Sequence, residues 1–302
     1  MHDHGHHHHD PQRSSTKLLV GALGATLCFA GVEALSGWWA NSLALFSDAG
    51  HMLTDSVALG LAAVAARVAQ RPATVKHTFG LERMEALAAA INALLMLAIV
   101  AGIVIGAVER LAAPPRVRAG AVILVGGMGL VVNLVVAWIL SRGERNLNVR
   151  GALLHVMGDL LGSVAALASG VVIWLTGWSL IDPVLSLLIG ALILFSSLNL
   201  LREVLHVLLE GVPPDLDLRA VGRRMARVEG VREVHDLHIW TISSSTTALS
   251  AHVVIEDLGV WHGVLTDLLQ VLEREFGIGH ATLQPEPEIL ARVAVSDIGH
   301  GR

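Results

Sequence analysis

The sequence predicts an all-α membrane domain of six transmembrane helices, followed by a C-terminal α+β domain outside the membrane. Hydrophobic residues make up 53% of the 302-residue chain and charged residues only 16%, whereas about a quarter of a typical soluble domain is charged. The mean hydropathy is positive, at +0.62. The long apolar segments end near residue 202, and charged residues become frequent from residue 203. We therefore predict a histidine-rich disordered tail over residues 1–16, a transmembrane domain over 17–202 and a second domain over 203–302.

Six segments are long and apolar enough to cross a bilayer, which takes roughly 20 mostly apolar residues. They are residues 17–38, 43–66, 84–108, 118–140, 152–176 and 180–201. An even number of crossings places both termini on the same side of the membrane.

Basic residues are unevenly distributed between the connections of these helices. The terminal flanks and the connections after the second and fourth helices carry the larger group: Arg13, Lys17, Arg67, Arg71, Lys76, Arg83, Arg142, Arg145, Arg150 and Arg202. The other connections carry Arg110, Arg116 and Arg118. Since cytoplasmic loops are enriched in Lys and Arg, this distribution predicts that both termini are cytoplasmic.

The region after residue 203 has the pattern of a small α+β domain. A Pro-Pro pair at 213–214 precedes an amphipathic helical stretch. Two runs with strand alternation follow at 231–242 and 246–257, and then a second helical segment near 260–276 and a short strand, HATLQPE. This αββαβ order predicts two helices packed on one face of a three-stranded sheet.

Two pairs of ionisable residues interrupt the apolar segments with the same spacing, His51 with Asp55 and His155 with Asp159. Residues four apart lie on one face of a helix, one turn from each other. Two such helices packed face to face supply four ligands, the number in a closed tetrahedral zinc site, and zinc accepts imidazole nitrogen and carboxylate oxygen. Hydrogen bonding between helices is the alternative. Because ionisable groups are costly in a membrane and mark ion paths, we predict a metal site.

Other polar residues in the apolar segments have two interpretations. Asp48, one turn before His51, is a spare ligand or relay, or it bonds a helix end near the outer surface. Glu33 and Asn133 line the cation path, or they form hydrogen bonds between helices. Asp182, directly before a proline, is predicted to cap the sixth helix.

Composition limits the other function classes. The net charge of −5 and the lack of a basic stretch argue against nucleic acid as a partner. A single cysteine, Cys28, leaves no intrachain disulfide and no cysteine-rich metal site. The string His-Glu-x-x-His of many zinc hydrolases is also absent. A membrane-embedded zinc hydrolase and a membrane-embedded metal sensor are the alternatives to a transporter.

Five motifs resemble those of the cation diffusion facilitator family of metal exporters, especially its bacterial zinc and cadmium members. They are ANSLALFSDAGHMLTD from residue 40, TFGLERME at 78–85, NLNVRGALLHVMGDLLGSV at 146–164, DPVLSLLI at 182–189 and VHDLHIWTI at 234–242. The resemblance implies a homodimer in the lipid bilayer of the inner membrane, with a metallochaperone-like cytoplasmic domain. It also implies export of divalent cations, namely Zn²⁺ with Cd²⁺ and Co²⁺ as further candidates, in exchange for protons.

The same resemblance assigns the transport site to His51, Asp55, His155 and Asp159, with His51 favouring zinc and cadmium. Proton coupling agrees with the chemistry, because imidazole binds a metal only when neutral and its unperturbed pKa is about 6.5. Protons and metal therefore compete for the same nitrogens near neutral pH.

For the cytoplasmic domain, the resemblance implies a regulatory zinc site at His235, His252 and Glu286, with His238 and His280 as further candidates. In a regular strand, His235 and His238 point to opposite faces, so they share a metal only if the strand bends. Solvated histidines at a strand edge are the alternative.

Three weaker metal candidates remain. His77 is left in the loop between helices 2 and 3, where other family ligand positions read Thr74 and Leu81, and His262 lies early in the second helix of the soluble domain. The N-terminal HDHGHHHHD binds zinc or nickel loosely, without fixed geometry, unless it is a purification tag.

Overall fold

The computed structural model describes residues 11–141, 147–243 and 246–288, without the side chains of residues 11–23, 140, 147–152, 154 and 155. The chain divides into two compact units. The first comprises residues 1–61 and 91–200, and the second comprises residues 62–90 and 201–302.

All six predicted membrane helices are present in the structure. They are α1 (Pro11–Ala40), α2 (Leu43–Ala69), α3 (Met84–Ala112), α4 (Ala119–Ser141), α5 (Leu147–Thr176) and α6 (Ile181–Leu208). Within the described residues, the five helices from α2 to α6 are long and apolar enough to cross a membrane. The first ten residues of the predicted tail lie outside the described residues. The described part of α1 includes residues 11–16, which the sequence predicted as tail.

Small residues determine how the helices of the first unit pack. The most extensive contact is between α4 and α5, and α1 packs against both. A Cβ at Gly126 of α4 would lie 3.0 Å from the backbone nitrogen of Leu167, and a Cβ at Gly170 of α5 would lie 2.9 Å from that of Ile123. These glycines therefore allow the two backbones to approach closely.

A buried carboxylate joins helix ends at the loops α1–α2 and α5–α6. Asp182, the second residue of α6, accepts hydrogen bonds from Ser42 Oγ and the Leu43 amide, each at 2.6 Å, and from Ser169 Oγ at 3.2 Å. Arg110 Nη1 lies 3.8 Å from its Oδ2. The carboxylate caps α2 rather than its own helix. The prediction that Asp182 caps the sixth helix is wrong, because the backbone amide that its carboxylate accepts from belongs to Leu43 at the start of α2.

Replacing Asp182 by Ala is expected to lower the stability of the membrane unit by about 3 kcal/mol or more, because each hydrogen bond to a charged group contributes about 1.5–3 kcal/mol. Thermal unfolding of the purified full chain in detergent measures the effect. Glu109→Ala, which removes an exposed carboxylate near the end of α3, is the control. Equal unfolding temperatures for the two variants would contradict the capping role.

The C-terminal domain has the predicted αββαβ order. It contains α7 (Leu218–Met225), β1 (Val231–Ser243), β2 (Thr246–Ile255), a 3-10 turn (Leu258–Val260), α8 (Trp261–Phe276) and β3 (His280–Pro287). The sheet order is β1-β2-β3, with β1 antiparallel and β3 parallel to β2.

One hydrophobic core holds this domain together. α8 contributes Val264, Leu268 and Leu272, which recur every four residues along one helix face. They pack with residues of α7 and the sheet, including Val221 and Val253. The predicted arrangement of two helices on a three-stranded sheet is confirmed.

The connection between α2 and α3 belongs to the same unit as the C-terminal domain and contacts it through Arg83 and Phe79. Arg83 Nη2 forms an ion pair of 2.8 Å with Glu210 Oε1. The rings of Phe79 and His280 meet edge to face, with their centroids 5.6 Å apart.

Candidate metal centres

The first candidate centre lies between α2 and α5. One ligand atom from each of His51, Asp55 and Asp159 lies within 4.8 Å of the others. His51 Nε2 is 3.6 Å from Asp55 Oδ2, as expected for residues one turn apart. His155 lies on α5 one turn before Asp159, but its side chain is outside the described ones. The structure therefore brings together three of the four predicted ligands.

Burial makes this centre a candidate site for a cation. Asp159 is fully buried and Asp55 is 8% exposed, while His51 is partly exposed. Two carboxylates held together in an apolar bundle repel each other, and a divalent cation between them removes both charges at once. The nearby hydroxyls of Thr54 and Ser56 donate to carbonyls of their own helix.

Asp48 lies outside this group of three. It is 1% exposed, and its Oδ2 lies 3.5 Å from Ser163 Oγ, in the middle of α5. A Cβ at Gly162 would collide with the Asp48 carboxylate, so this glycine makes room for it. Asp48 contacts a neighbouring membrane helix and not a helix end.

The second candidate centre lies on the sheet of the C-terminal domain, where His235, His252 and Glu286 each offer a ligand atom within 4.8 Å of the others. Glu286 Oε2 is 2.9 Å from His235 Nε2, and its Oε1 is 2.7 Å from His252 Nδ1. His235 and His252 are paired across β1 and β2, with their ring centroids 5.2 Å apart. One residue from each strand therefore faces the same point.

A β-bulge lies beside this centre. The register of β1 shifts between His235 and His238, and Asp236 has a φ of 49°. The strand does bend, but His238 stays outside the group and its Nε2 lies 3.0 Å from Asp236 Oδ1. Asp236 Oδ2 is also 3.8 Å from His252 Nε2. Asp236 was missed in the sequence analysis, although it stands between two candidate histidines in VHDLH.

The remaining histidine candidates lie elsewhere. His280 begins β3 against Phe79, His77 lies in an exposed turn with Thr74, and His262 is exposed at the start of α8. In the part of the chain that the structure describes, none of the three histidines joins a group of three or more metal-ligand side chains. Their metal-binding roles stay predictions.

Two family models match the chain. The first, described as the cation efflux transmembrane domain, matches residues 18–209. The second, described as the cation efflux protein, cytoplasmic domain, matches residues 213–288.

Several characterised proteins are similar over nearly their whole length. The "Cadmium, cobalt and zinc/H(+)-K(+) antiporter" of Bacillus subtilis is 40% identical over 288 residues, which is 93% of this chain and 92% of that protein. "Metal cation efflux system protein CzcD" of Cupriavidus metallidurans is 43% identical over 284 residues, 93% of this chain and 90% of that protein. "Zinc transporter ZitB" of Escherichia coli is 40% identical over 289 residues, 94% of this chain and 92% of that protein.

Among solved structures, the metal-bound C-terminal domain of the CzcD transporter from Cupriavidus metallidurans is similar, with 38% identity and a TM-score of 0.22. The match covers 24% of this chain and 99% of that one. The family assignment does not depend on this match, since the transmembrane family model alone covers more than half of the chain. The chain belongs to the cation efflux family, also called the cation diffusion facilitator family, and is a multi-pass membrane transporter of metal cations rather than an enzyme.

Proposed function

We propose that the protein exports Zn²⁺, with Cd²⁺ and Co²⁺ as further substrates, from the cytoplasm in exchange for protons. The ion binds to His51, Asp55, His155 and Asp159. The observation that carries this proposal is the convergence of His51, Asp55 and Asp159 in the membrane unit. The names of the Bacillus and Escherichia relatives, which include zinc and, for the former, protons, support the choice of ions.

Exchange follows from competition at one site. A neutral imidazole binds a metal through its nitrogen, and a protonated imidazole does not. When the site opens to the cytoplasm, Zn²⁺ displaces protons, and when it opens to the outside, protons displace Zn²⁺. The inward proton gradient then drives export by alternating access. We propose that the protein lies in the inner membrane with both termini cytoplasmic, a topology that the distribution of basic residues supports.

Zinc flux into proteoliposomes tests this function. We expect zinc to enter vesicles containing the wild-type chain when their lumen is acidic, and the flux to fall to the leak rate when an ionophore removes the pH gradient. Flux that persists unchanged without the gradient would contradict proton exchange. A wild type without any zinc flux would refute the transport function.

The centre formed by His235, His252 and Glu286 is proposed to hold a regulatory Zn²⁺. Its three ligands come from three strands, so bound zinc would tie the sheet together. The site is partly exposed, so it can sample cytoplasmic zinc. Because the ligand stabilises only the state that binds it, the bound form accumulates when zinc rises. The protein is proposed to work as a homodimer through this domain.

Zinc is expected to raise the unfolding temperature of the full chain, and His252→Ala is expected to remove most of that increase. The stabilisation at a zinc concentration 100 times the Kd is about 2.7 kcal/mol. The measurement is best made with Asp159→Asn also present, so that the membrane centre contributes little. Gln270→Ala, which removes an exposed neutral side chain of α8, is the control. Equal zinc-induced increases in both variants would contradict this regulatory centre.

A further inference from the structure

Glu33 of α1 is a buried acid outside the transport site. Its side chain is fully buried, and neither carboxylate oxygen has a hydrogen-bond partner among the described residues. An unpaired carboxylate in an apolar interior costs several kcal/mol. A cationic ligand or a proton offsets this cost.

Three other polar side chains, those of Asp48, Asn133 and Ser163, are grouped with the Glu33 carboxylate. Glu33 Oε1 and Ser163 Oγ each lie 2.9 Å from the place where a Cβ at Gly129 would stand, so they flank the same glycine. Ser163 Oγ accepts a hydrogen bond of 3.2 Å from Asn133 Nδ2 and lies 3.5 Å from Asp48 Oδ2. Four membrane helices, α1, α2, α4 and α5, thus contribute one side chain each.

These groups leave several oxygens available to a ligand. Within the described part of the chain, Asp48 Oδ1 and Asn133 Oδ1 also have no hydrogen-bond partner. All four residues are 0% or 1% exposed. The atoms available to coordinate a metal are therefore all oxygens. The two carboxylates carry the charge that one divalent cation neutralises.

The four residues Glu33, Asp48, Asn133 and Ser163 lie next to the transport site along α2 and α5. Asp48 lies one turn before His51 on α2, and Ser163 lies one turn after Asp159 on α5. One turn is about 5.4 Å along the helix axis. Both displacements point toward the loops that join α1 to α2 and α5 to α6, which the basic residues predict to face the outside.

We propose that Glu33, Asp48, Asn133 and Ser163 form a second cation subsite, which holds the transported divalent cation between the transport site and the outside. This proposal rests on the proposed function. Zinc prefers nitrogen and sulfur ligands to oxygen alone, so an oxygen-only subsite binds it more weakly than a site with two imidazoles. The subsite accepts the ion from the transport site and releases it readily.

Zinc–zinc exchange tests the subsite. Proteoliposomes containing the full-length chain are prepared with equal zinc and equal pH on both sides, and the entry of radioactive zinc is followed. Because net proton movement is not required, the assay reports the path of the metal. Glu33→Gln keeps the shape of the side chain and removes its charge. It is expected to slow exchange about tenfold, a difference of about 1.4 kcal/mol in the barrier.

Two further measurements separate a metal path from a structural role. Zinc affinity of the Glu33→Gln protein in nanodiscs should stay within about twofold of wild type, since a twofold change is well under 1 kcal/mol. Glu33→Asp, which restores the charge, should recover most of the exchange rate. Slow exchange with retained zinc binding and rescue by Asp supports the subsite.

Other results overturn it. An unchanged exchange rate in Glu33→Gln, whether or not the pH-driven flux falls, would mean that zinc does not pass this carboxylate. If Glu33→Gln does not fold, the zinc exchange rate of Ser163→Ala is measured instead. The control is Ser197→Ala, which alters a fully buried serine of α6 that donates to its own helix. Equal exchange rates in the two serine variants would overturn the subsite. Absence of exchange in the wild type would instead refute the transport function itself.

Discussion

Replacing Asp159 by Asn is expected to abolish zinc transport. Asp159 is fully buried, and one of its oxygens lies within 4.8 Å of ligand atoms of His51 and Asp55. The amide keeps the volume and one oxygen but removes a negative charge, so a bound Zn²⁺ would leave an uncompensated positive charge in an apolar bundle. Loss of a residue that only orients a metal ligand costs about 10–100-fold, so loss of a direct ligand should reduce the initial flux by at least about 100-fold.

The unfolding temperature of Asp159→Asn distinguishes the loss of a metal ligand from a folding defect, which would lower it. Removing a charge that the fold must bury is expected to leave the unfolding temperature unchanged or to raise it, since sites for a ligand are not optimised for stability. Asp159→Asn should therefore elute like the wild type and unfold at the same or a higher temperature, while it transports nothing. Asp267→Asn, an exposed aspartate of α8, is the control and should transport normally. Flux within about twofold of wild type in Asp159→Asn would contradict the assignment of the site.

The convergence of His51, Asp55 and Asp159 was predictable from the sequence, because it follows largely from spacing within each helix. The spacing of His51 and Asp55 places both on one helix face wherever that helix packs. A repeated pair on α5 implies the partner helix, and the structure places Asp159 at the predicted centre. Helix existence was predictable for the same reason, since length and apolarity are properties of a segment by itself.

Features set by distant contacts were not predictable in this way. Asp182 was assigned to its own helix, whereas it bonds Ser42, 140 residues away. Only the tertiary fold brings the start of α6 to the start of α2. Likewise, the register shift between His235 and His238 was not predicted, because a β-bulge leaves no signal in the apolar pattern.

The grouping of Glu33 with Asp48 depends on packing as well. Read alone, Glu33 fits an interhelical hydrogen bond as well as a place on the cation path, and Asp48 fits a bond to a helix end as well as a spare ligand. The structure shows that no described residue bonds the Glu33 carboxylate and that Gly129 leaves space beside it. A small residue on a third helix, α4, thus decides what an acid on α1 contacts, and single-segment patterns do not contain that information.

Replacing Gly170 by Leu is expected to disrupt the packing of α4 against α5 and to destabilise the membrane unit strongly. A Cβ there would lie 2.9 Å from the backbone nitrogen of Ile123 and 3.2 Å from Cβ of Val122, and backbone atoms cannot move aside as a flexible side chain does. The helices α4 and α5 must separate to accommodate it. Overpacking typically costs about 1–3 kcal/mol, and a full leucine against backbone should cost at least about 3 kcal/mol.

Size-exclusion chromatography after heating measures the loss of stability in Gly170→Leu, as a decrease in the fraction of protein that stays monodisperse. Gly102→Leu makes the same substitution on α3, where a Cβ would meet nothing within 4 Å, and it should behave like the wild type. Zinc exchange should fall in parallel with stability in Gly170→Leu, because α4 and α5 carry Asn133 and Asp159. A Gly170→Leu protein as stable as Gly102→Leu would mean that the two helices do not pack through their glycines.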